Sequence, residues 1–143
     1  MPFINNAGLQ LIKNFEGCRL EAYDDGTGTW TIGWGHTPAT PGQTITQSQA
    51  DEMLMADLVR FEKCVNDAVS HSINPNQFAA LVSFAYNLGC GSLDGSTLLA
   101  DVNAGDYKAA ASEFGRWTFA GGVELEGLVR RRAAEAALFS TLG

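Results

Sequence analysis

The chain of 143 residues has little positive charge and no long apolar run. Only 9 lysines and arginines stand against 16 acidic residues, which gives a net charge of −7. Proteins that bind nucleic acid or anionic membranes through bulk charge are basic, so this composition argues against both classes. No stretch approaches the roughly 20 apolar residues of a membrane-spanning helix. The first residues also lack the basic and apolar regions of a secretion signal.

Cysteine and histidine are scarce as well. Cys18, Cys64 and Cys90 are odd in number, widely spaced and outside any CxxC pair, a pattern typical of neither a disulfide framework nor a zinc site. We expect free, mostly buried thiols, with one disulfide formed after export as the alternative. His36 and His71 are the two histidines and no HExxH motif occurs, so the sequence predicts no metal and no cofactor.

The first third of the chain predicts a helix and then a small antiparallel sheet. Residues 6–16 place apolar side chains at helical spacing, and Gly17 is a suitable stop. Residues 24–28 are rich in Asp, Gly and Thr, as turns are. In residues 30–34, large apolar side chains alternate with small ones, which is typical of a half-buried strand.

One face of the predicted strand carries only Thr31, Gly33 and Gly35. A face with one small hydroxyl and two glycines would let a bulky ligand approach the backbone. The glycines would equally serve the twist of the strand and the turn that follows it. The spacing leaves both interpretations open.

From about residue 46 the pattern is helical to the end of the chain. Two helix starts carry capping signals, because Thr46 with Gln49 resembles a capping box and Asn74 precedes Pro75. Further helices are predicted over residues 96–103, 106–115 and 124–140. The last of these should turn five apolar residues inward: Leu125, Leu128, Val129, Ala136 and Phe139. The sequence thus predicts an α+β, mostly helical protein with a ligand cleft between a sheet lobe and a helical lobe.

The one basic cluster is formed by Arg130, Arg131 and Arg132. Consecutive residues of a helix point about 100° apart, so these three side chains cannot form one patch. Either they are solvated, or one of them turns inward to hold a carboxylate.

Glu16 and Asp25 are the candidate pair of catalytic acids. Glu16 shares a helix side with apolar residues and lies in the last turn, where burial and the helix dipole disfavour a charged carboxylate. Such surroundings suit a general acid, which must hold a proton near neutral pH. Asp25 lies in a turn that water and backbone amides can solvate, so it should stay ionised. Asp24 is an equal candidate on these grounds. A glutamate at a helix end and an aspartate in a turn are also common on ordinary protein surfaces.

The order of these residues resembles the catalytic stretch of the phage-type lysozymes, the endolysins of tailed phages. Glu16, Asp25 and Thr31 are separated by eight and five residues, and Thr31 runs into Ile32-Gly33-Trp34-Gly35-His36. Further matching segments cover nearly the whole chain: Phe15–Tyr23, Asn76–Gly89, Ser96–Leu99, Arg116-Trp117 and Gly127–Glu135.

The resemblance implies one lysozyme-like catalytic domain over residues 1–143, with a sheet lobe to about residue 45 and a helical lobe from about residue 46. It implies hydrolysis of the β-1,4 bond between N-acetylmuramic acid and N-acetylglucosamine in peptidoglycan, for host cell lysis. Glu16 would be the general acid, and Asp25 with Thr31 would direct water, giving net inversion. Asp25 is preferred to Asp24 because it alone keeps the family spacing.

The resemblance also implies substrate binding by Thr37, Tyr86 and Ser96. Ser96 has the best local match, whereas Thr37 stands where an aliphatic residue is expected. His36 closes the motif, and we expect it to be structural and paired with a polar neighbour.

The resemblance implies peptidoglycan as the partner, and the acidic composition argues against nucleic acid. We expect a monomer without the membrane anchor with which several members of the family begin. The protein would be made in the host cytoplasm without a signal peptide and would reach the wall in the periplasm after release by a separate pore-forming protein. Three alternatives stay open: a lytic transglycosylase, a non-catalytic wall-binding module, and a peptidoglycan amidase or peptidase.

Overall fold

The computed structural model describes residues 3–142, and most of them are helical. The elements in chain order are α1 Asn6–Glu16, β1 Arg19–Asp24, β2 Trp30–Gly33, α2 Gln47–Ala68, α3 Pro75–Leu88, α4 Cys90–Asp94, α5 Thr97–Asn103, α6 Tyr107–Glu113, a 3-10 helix Phe114–Arg116, β3 Phe119–Ala120, β4 Val123–Glu124 and α7 Glu126–Phe139. The predicted class, mostly helical with a small antiparallel sheet, is confirmed.

The chain divides into two compact units. The sheet unit is Lys13–Val59. The helical unit comprises the described residues up to Ile12 and from Arg60 onward. Both α1 and α2 therefore begin in one unit and end in the other. The single domain with a lobe boundary near residue 45 stays a prediction.

In the sheet unit, β1 and β2 form an antiparallel hairpin in which Tyr23 pairs with Thr31 and Asp24 with Trp30. Gly33 lies in the left-handed region with φ 65°. A Cβ added to it would lie 3.5 Å from the side chains of Ala50 and Ile45. These contacts and the positive φ favour the turn interpretation of Gly33 over access for a ligand.

Both predicted capping signals are confirmed. Thr46 donates its backbone N–H to Gln49 Oε1 at 2.9 Å, and Gln49 donates its own to Thr46 Oγ1 at 3.1 Å. Asn74 and Gln77 make the same reciprocal pair at 2.9 and 2.7 Å before α3. These side chains satisfy backbone donors that the first helical turn leaves unpaired.

The core of the helical unit is built around α3, whose residues 77–85 are all buried. On α7 the buried side chains are Arg131, Arg132, Glu135 and Phe139. The expectation that Leu125 and Val129 face inward is wrong, since they are 44% and 39% exposed. The buried side of α7 thus keeps Phe139 from the predicted set, but carries two arginines and a glutamate beside it.

The sequence did not predict the short helix α4 or the hairpin of β3 with β4. Each strand of that hairpin has only two residues. A period of two cannot be read from two residues, and a five-residue helix such as α4 gives little more than one helical turn.

The expectation of free thiols is wrong for two of the three cysteines. Cys64 on α2 and Cys90 on α4 form a disulfide with their Cα atoms 6.2 Å apart. Cys18 is a free, half-buried cysteine. The sequence showed the odd number but not the partners, because the pair is separated by 26 residues.

Within residues 3–142, every helix is too short or too polar to cross a membrane. In the same residues, no cluster of three or more His, Cys, Asp or Glu side chains is arranged to hold a metal ion.

Candidate active site

Glu16 is the last residue of α1 and is half-buried. Asn5 starts this helix, because its Oδ1 accepts the backbone N–H of Gly8 at 2.9 Å. Gly17 ends it with φ 68° and donates its N–H to Lys13 O at 3.1 Å. A cap and a glycine stop thus place the glutamate in the last helical turn, as the sequence predicts.

Asp25 lies in the exposed turn between β1 and β2. Its Oδ1 accepts hydrogen bonds from Thr27 Oγ1 at 2.6 Å, from Thr27 N at 2.9 Å and from Thr29 N at 3.3 Å. These donors, with the Thr27 hydroxyl as the largest contributor, hold the pKa of Asp25 below its usual value, although desolvation opposes them. The prediction of an ionised carboxylate in this turn is therefore supported by its hydrogen bonds.

Asp24 has a different set of partners. Its Oδ1 accepts the backbone N–H groups of Gly26 at 2.8 Å and Gly28 at 3.1 Å. Both glycines have a positive φ, 95° and 87°, which a residue with a side chain would adopt only with strain. The Asp24 carboxylate thus closes a tight turn built on two glycines. The structure thus gives Asp24 a structural task in the loop that carries Asp25.

Thr31 lies on β2 and is 5% exposed. Its Oγ1 is 3.5 Å from the carbonyl oxygen of Thr29, which is long for a hydroxyl bond. Asp25 and Thr31 therefore share one hairpin, and Glu16 belongs to the same compact unit. Their catalytic roles stay predictions.

His36 is paired with a carboxylate, as expected of a structural histidine. Its Nδ1 is 2.7 Å from Oδ2 of Asp57. Nearby in the sequence, Trp34 donates its Nε1–H to Asp51 at 2.8 Å, and this bond is the largest cause of the lowered pKa of Asp51. Sequence reasoning missed both aspartates, because each lies more than fifteen residues from its partner.

The three predicted substrate-binding residues lie in different units. Thr37 is exposed in the sheet unit, whereas Tyr86 and Ser96 belong to the helical unit. Tyr86 is half-buried and meets the ring of Phe61 edge to face, with the ring centroids 5.3 Å apart.

Ser96 is the N-cap of α5 and is 8% exposed. Its hydroxyl donates to Leu93 O at 2.7 Å and accepts from Leu99 N at 3.0 Å. It also lines a cavity of about 280 Å³ together with residues of α6 and the 3-10 helix. Substrate contact by Thr37, Tyr86 and Ser96 stays a prediction.

Residues 13–135 match the family model described as phage lysozyme. The chain belongs to the phage lysozyme family. Among its relatives is the endolysin of Bacillus phage PZA, which is 47% identical over 142 residues, covering 96% of this chain and 55% of the relative. The chain therefore spans about half the length of that curated relative.

Two solved structures are similar to this chain over nearly its whole length. The muramidase domain of SpmX from Asticaccaulis excentricus has a TM-score of 0.93 at 40% identity, over 99% of this chain and all of that one. A P22 lysozyme variant has a TM-score of 0.89 at 37% identity, over 99% of this chain and all of that one. The predicted lysozyme-like fold is thereby confirmed.

Proposed function

We propose that this chain is an endolysin-type muramidase, a glycoside hydrolase that cuts the β-1,4 bond between N-acetylmuramic acid and N-acetylglucosamine in peptidoglycan. One observation carries the proposal: the end of α1 and the β1–β2 turn supply two carboxyl groups to one compact unit of a phage lysozyme family chain. Two carboxyl groups with different surroundings are what glycosidic hydrolysis requires.

Glu16 protonates the oxygen of the glycosidic bond as the leaving sugar departs. Asp25 accepts a proton from a water molecule on the opposite side of the sugar, and the Thr31 hydroxyl helps to hold that water. Attack from that side inverts the configuration at the anomeric carbon. The hydrogen bonds that lower the pKa of Asp25 support its use as the base, since a base must be ionised before it acts.

Thr37, Tyr86 and Ser96 contact the glycan in this proposal. Ser96 uses its hydroxyl for one donated and one accepted bond within the fold. A serine hydroxyl has two acceptor lone pairs, so one lone pair is left for an amide N–H of the substrate.

The names of two similar proteins support a proposed setting for this enzyme. The matched protein of Bacillus phage PZA is named an endolysin and the matched SpmX domain a muramidase. We propose that this chain is made in the host cytoplasm, reaches the wall after release and acts there as a monomer in host lysis. Peptidoglycan is its macromolecular partner.

The substitution Glu16→Gln tests the proposal, because glutamine keeps the shape of the side chain but has no acidic proton to donate. We expect the rate to fall on the order of 10²- to 10⁴-fold, the usual contribution of general acid catalysis. The measurement is the release of reducing ends from purified glycan strands, with a turbidity assay on permeabilised Gram-negative cells beside it.

Glu52→Gln is the matched control, because Glu52 is an exposed residue of α2 in the same unit. It should keep full activity, and both variants should keep the circular dichroism spectrum of the parent. A Glu16→Gln variant that retains a third of the activity would reject this residue as the general acid.

The products distinguish the three alternatives. A lytic transglycosylase needs no water and would leave 1,6-anhydro ends, which mass spectrometry detects. An amidase or peptidase would release amino groups in place of reducing ends, and a wall-binding module would release neither. Hydrolysis is favoured over transglycosylation because Asp25 lies in an exposed turn, which is open to water.

A further inference from the structure

Thr27 makes two of the three hydrogen bonds received by the Asp25 carboxylate. Its hydroxyl lies 2.6 Å from Oδ1 and its backbone N lies 2.9 Å from the same oxygen. The third donor, the backbone N of Thr29, lies at 3.3 Å. In the part of the chain that the structure describes, the bonds of this carboxylate all end at Oδ1. Oδ2 is therefore the oxygen left for a water molecule.

The proton of the Thr27 hydroxyl is committed to the carboxylate. Thr27 Oγ1 also lies 3.3 Å from Thr29 Oγ1, but a hydroxyl has only one proton to donate. The contact with Asp25 is much shorter and charge-assisted, so it takes that proton. Thr29 can then donate its own hydroxyl to Thr27, which strengthens the bond to Asp25.

Other hydrogen bonds close this turn without the Thr27 hydroxyl. The turn is closed by Asp24, which accepts two backbone N–H groups, and by the backbone bond from Asp25 N to Thr29 O at 3.1 Å. Thr27 is itself exposed, so its side chain adds little packing. A hydroxyl that the turn does not need, but that makes the shortest bond to the proposed base, points to a task in the reaction.

We propose that Thr27 is a positioning residue, whose hydroxyl anchors Oδ1 of Asp25 so that Oδ2 is presented to the attacking water. The inference rests on the proposed function, in which Asp25 acts on that water. It adds a residue that the family spacing of Glu16, Asp25 and Thr31 does not include.

The same bond also lowers the pKa of the proposed base. The Thr27 hydroxyl is the largest cause of the lowered pKa of Asp25, and no charged side chain is among the causes. Asp24 is the acidic neighbour in the turn, and its own bonds go to Gly26 and Gly28. Loss of the hydroxyl should therefore raise the pKa of Asp25, and activity should be lost at a higher pH on acidification.

The test compares Thr27→Val, which replaces the hydroxyl with a methyl group, with Thr27→Ser, which keeps the donor. For Thr27→Val we expect kcat on soluble glycan strands to fall roughly 10-fold, as expected for the loss of a hydrogen bond to a charged group. KM and the melting temperature should stay close to the parent values. The acid limb of kcat/KM should move to higher pH, and Thr27→Ser should restore both kcat and the limb.

Thr29→Val is the matched control, because it removes a neighbouring hydroxyl that does not contact Asp25 directly. Its effect on kcat should be clearly smaller, and an equal loss would overturn Thr27 as the anchoring residue. If Thr27→Val lowers the melting temperature together with kcat, and Thr27→Ser restores neither, the hydroxyl has a structural role and the inference is overturned.

Asp25→Asn separates this inference from the function on which it rests. If Asp25→Asn is inactive while Thr27→Val keeps the parent kcat and acid limb, the inference fails and the proposed function stands. If Asp25→Asn keeps full activity, the proposed role of Asp25 fails, and the inference fails with it.

Discussion

At the level of single residues, the side chains of the β1–β2 hairpin differ in what holds them. Asp25 is exposed and accepts three hydrogen bonds at one oxygen, whereas Thr31 is buried and has one long contact at 3.5 Å. A bond of that length contributes little to stability. The buried threonine hydroxyl is therefore available for a task other than folding.

Thr31→Val should reduce turnover more than it reduces stability. Valine keeps the branched shape that fills the site and suits a strand, so we expect the free energy of unfolding to change by about 1 kcal/mol or less. Turnover should fall at least roughly 10-fold, since in the proposed mechanism Thr31 and Asp25 together position the attacking water.

Urea denaturation and the reducing-end assay measure these two quantities, and Thr31→Ser is the control that keeps the hydroxyl. A Thr31→Val protein that loses stability and turnover in proportion would indicate that the hydroxyl serves the fold alone.

At the level of elements, the disulfide between Cys64 and Cys90 ties α2 to α4 across the whole of α3. A cross-link stabilises a protein mainly by restricting the unfolded chain, and more so for longer loops. Such a bond persists in oxidising compartments such as the periplasm and is rare in the reducing cytoplasm. The proposed passage from cytoplasm to wall would thus let the bond form where the enzyme acts.

Replacing both Cys64 and Cys90 with alanine should lower the free energy of unfolding. The sequence separation of 26 residues corresponds to about 3.5 kcal/mol in the chain-entropy estimate. Guanidinium denaturation with and without a reductant measures the effect. The reductant should destabilise the parent and leave the double variant unchanged.

Cys18→Ala is the matched control, because Cys18 is the cysteine outside the disulfide. If the double variant loses no more stability than Cys18→Ala, the cross-link does not stabilise the native protein.

At the level of the whole molecule, the helical unit contains a buried charged cluster between α3 and α7. Glu135 is fully buried, and its two carboxylate oxygens lie 3.3 Å from Nε of Arg131 and 3.1 Å from Nε of Arg132. Ser83 donates its hydroxyl to the same carboxylate at 2.5 Å, and Arg132 donates to Asn87 Oδ1. By contrast, Arg130 stays on the surface and pairs with Glu126.

Glu135→Gln should be strongly destabilising, because it leaves two buried guanidinium groups without their anion. Breaking a buried ion pair from one side costs about 3–5 kcal/mol. The control is Glu126→Gln, which breaks the exposed pair with Arg130 and should cost less than about 1 kcal/mol. Both values come from urea denaturation, and similar costs for the two variants would contradict a core role for the cluster.

Features that depend on neighbours three or four residues apart were predictable from the sequence. Thr46 with Gln49 and Asn74 with Gln77 begin their helices through bonds within one turn, so the local pattern is sufficient. Gly17 likewise ends α1, and turn chemistry places the loop that carries Asp25. The candidate acids were found from residue order and family spacing, which needs no coordinates.

Features that join distant parts of the chain were decided only by the tertiary structure. Ser83 meets Glu135 across 52 residues, and Cys64 meets Cys90 across 26. No local pattern selects such partners, since packing chooses them from many similar residues. For the same reason, the sequence showed three arginines in a row, but only packing decided that Arg131 and Arg132 turn inward.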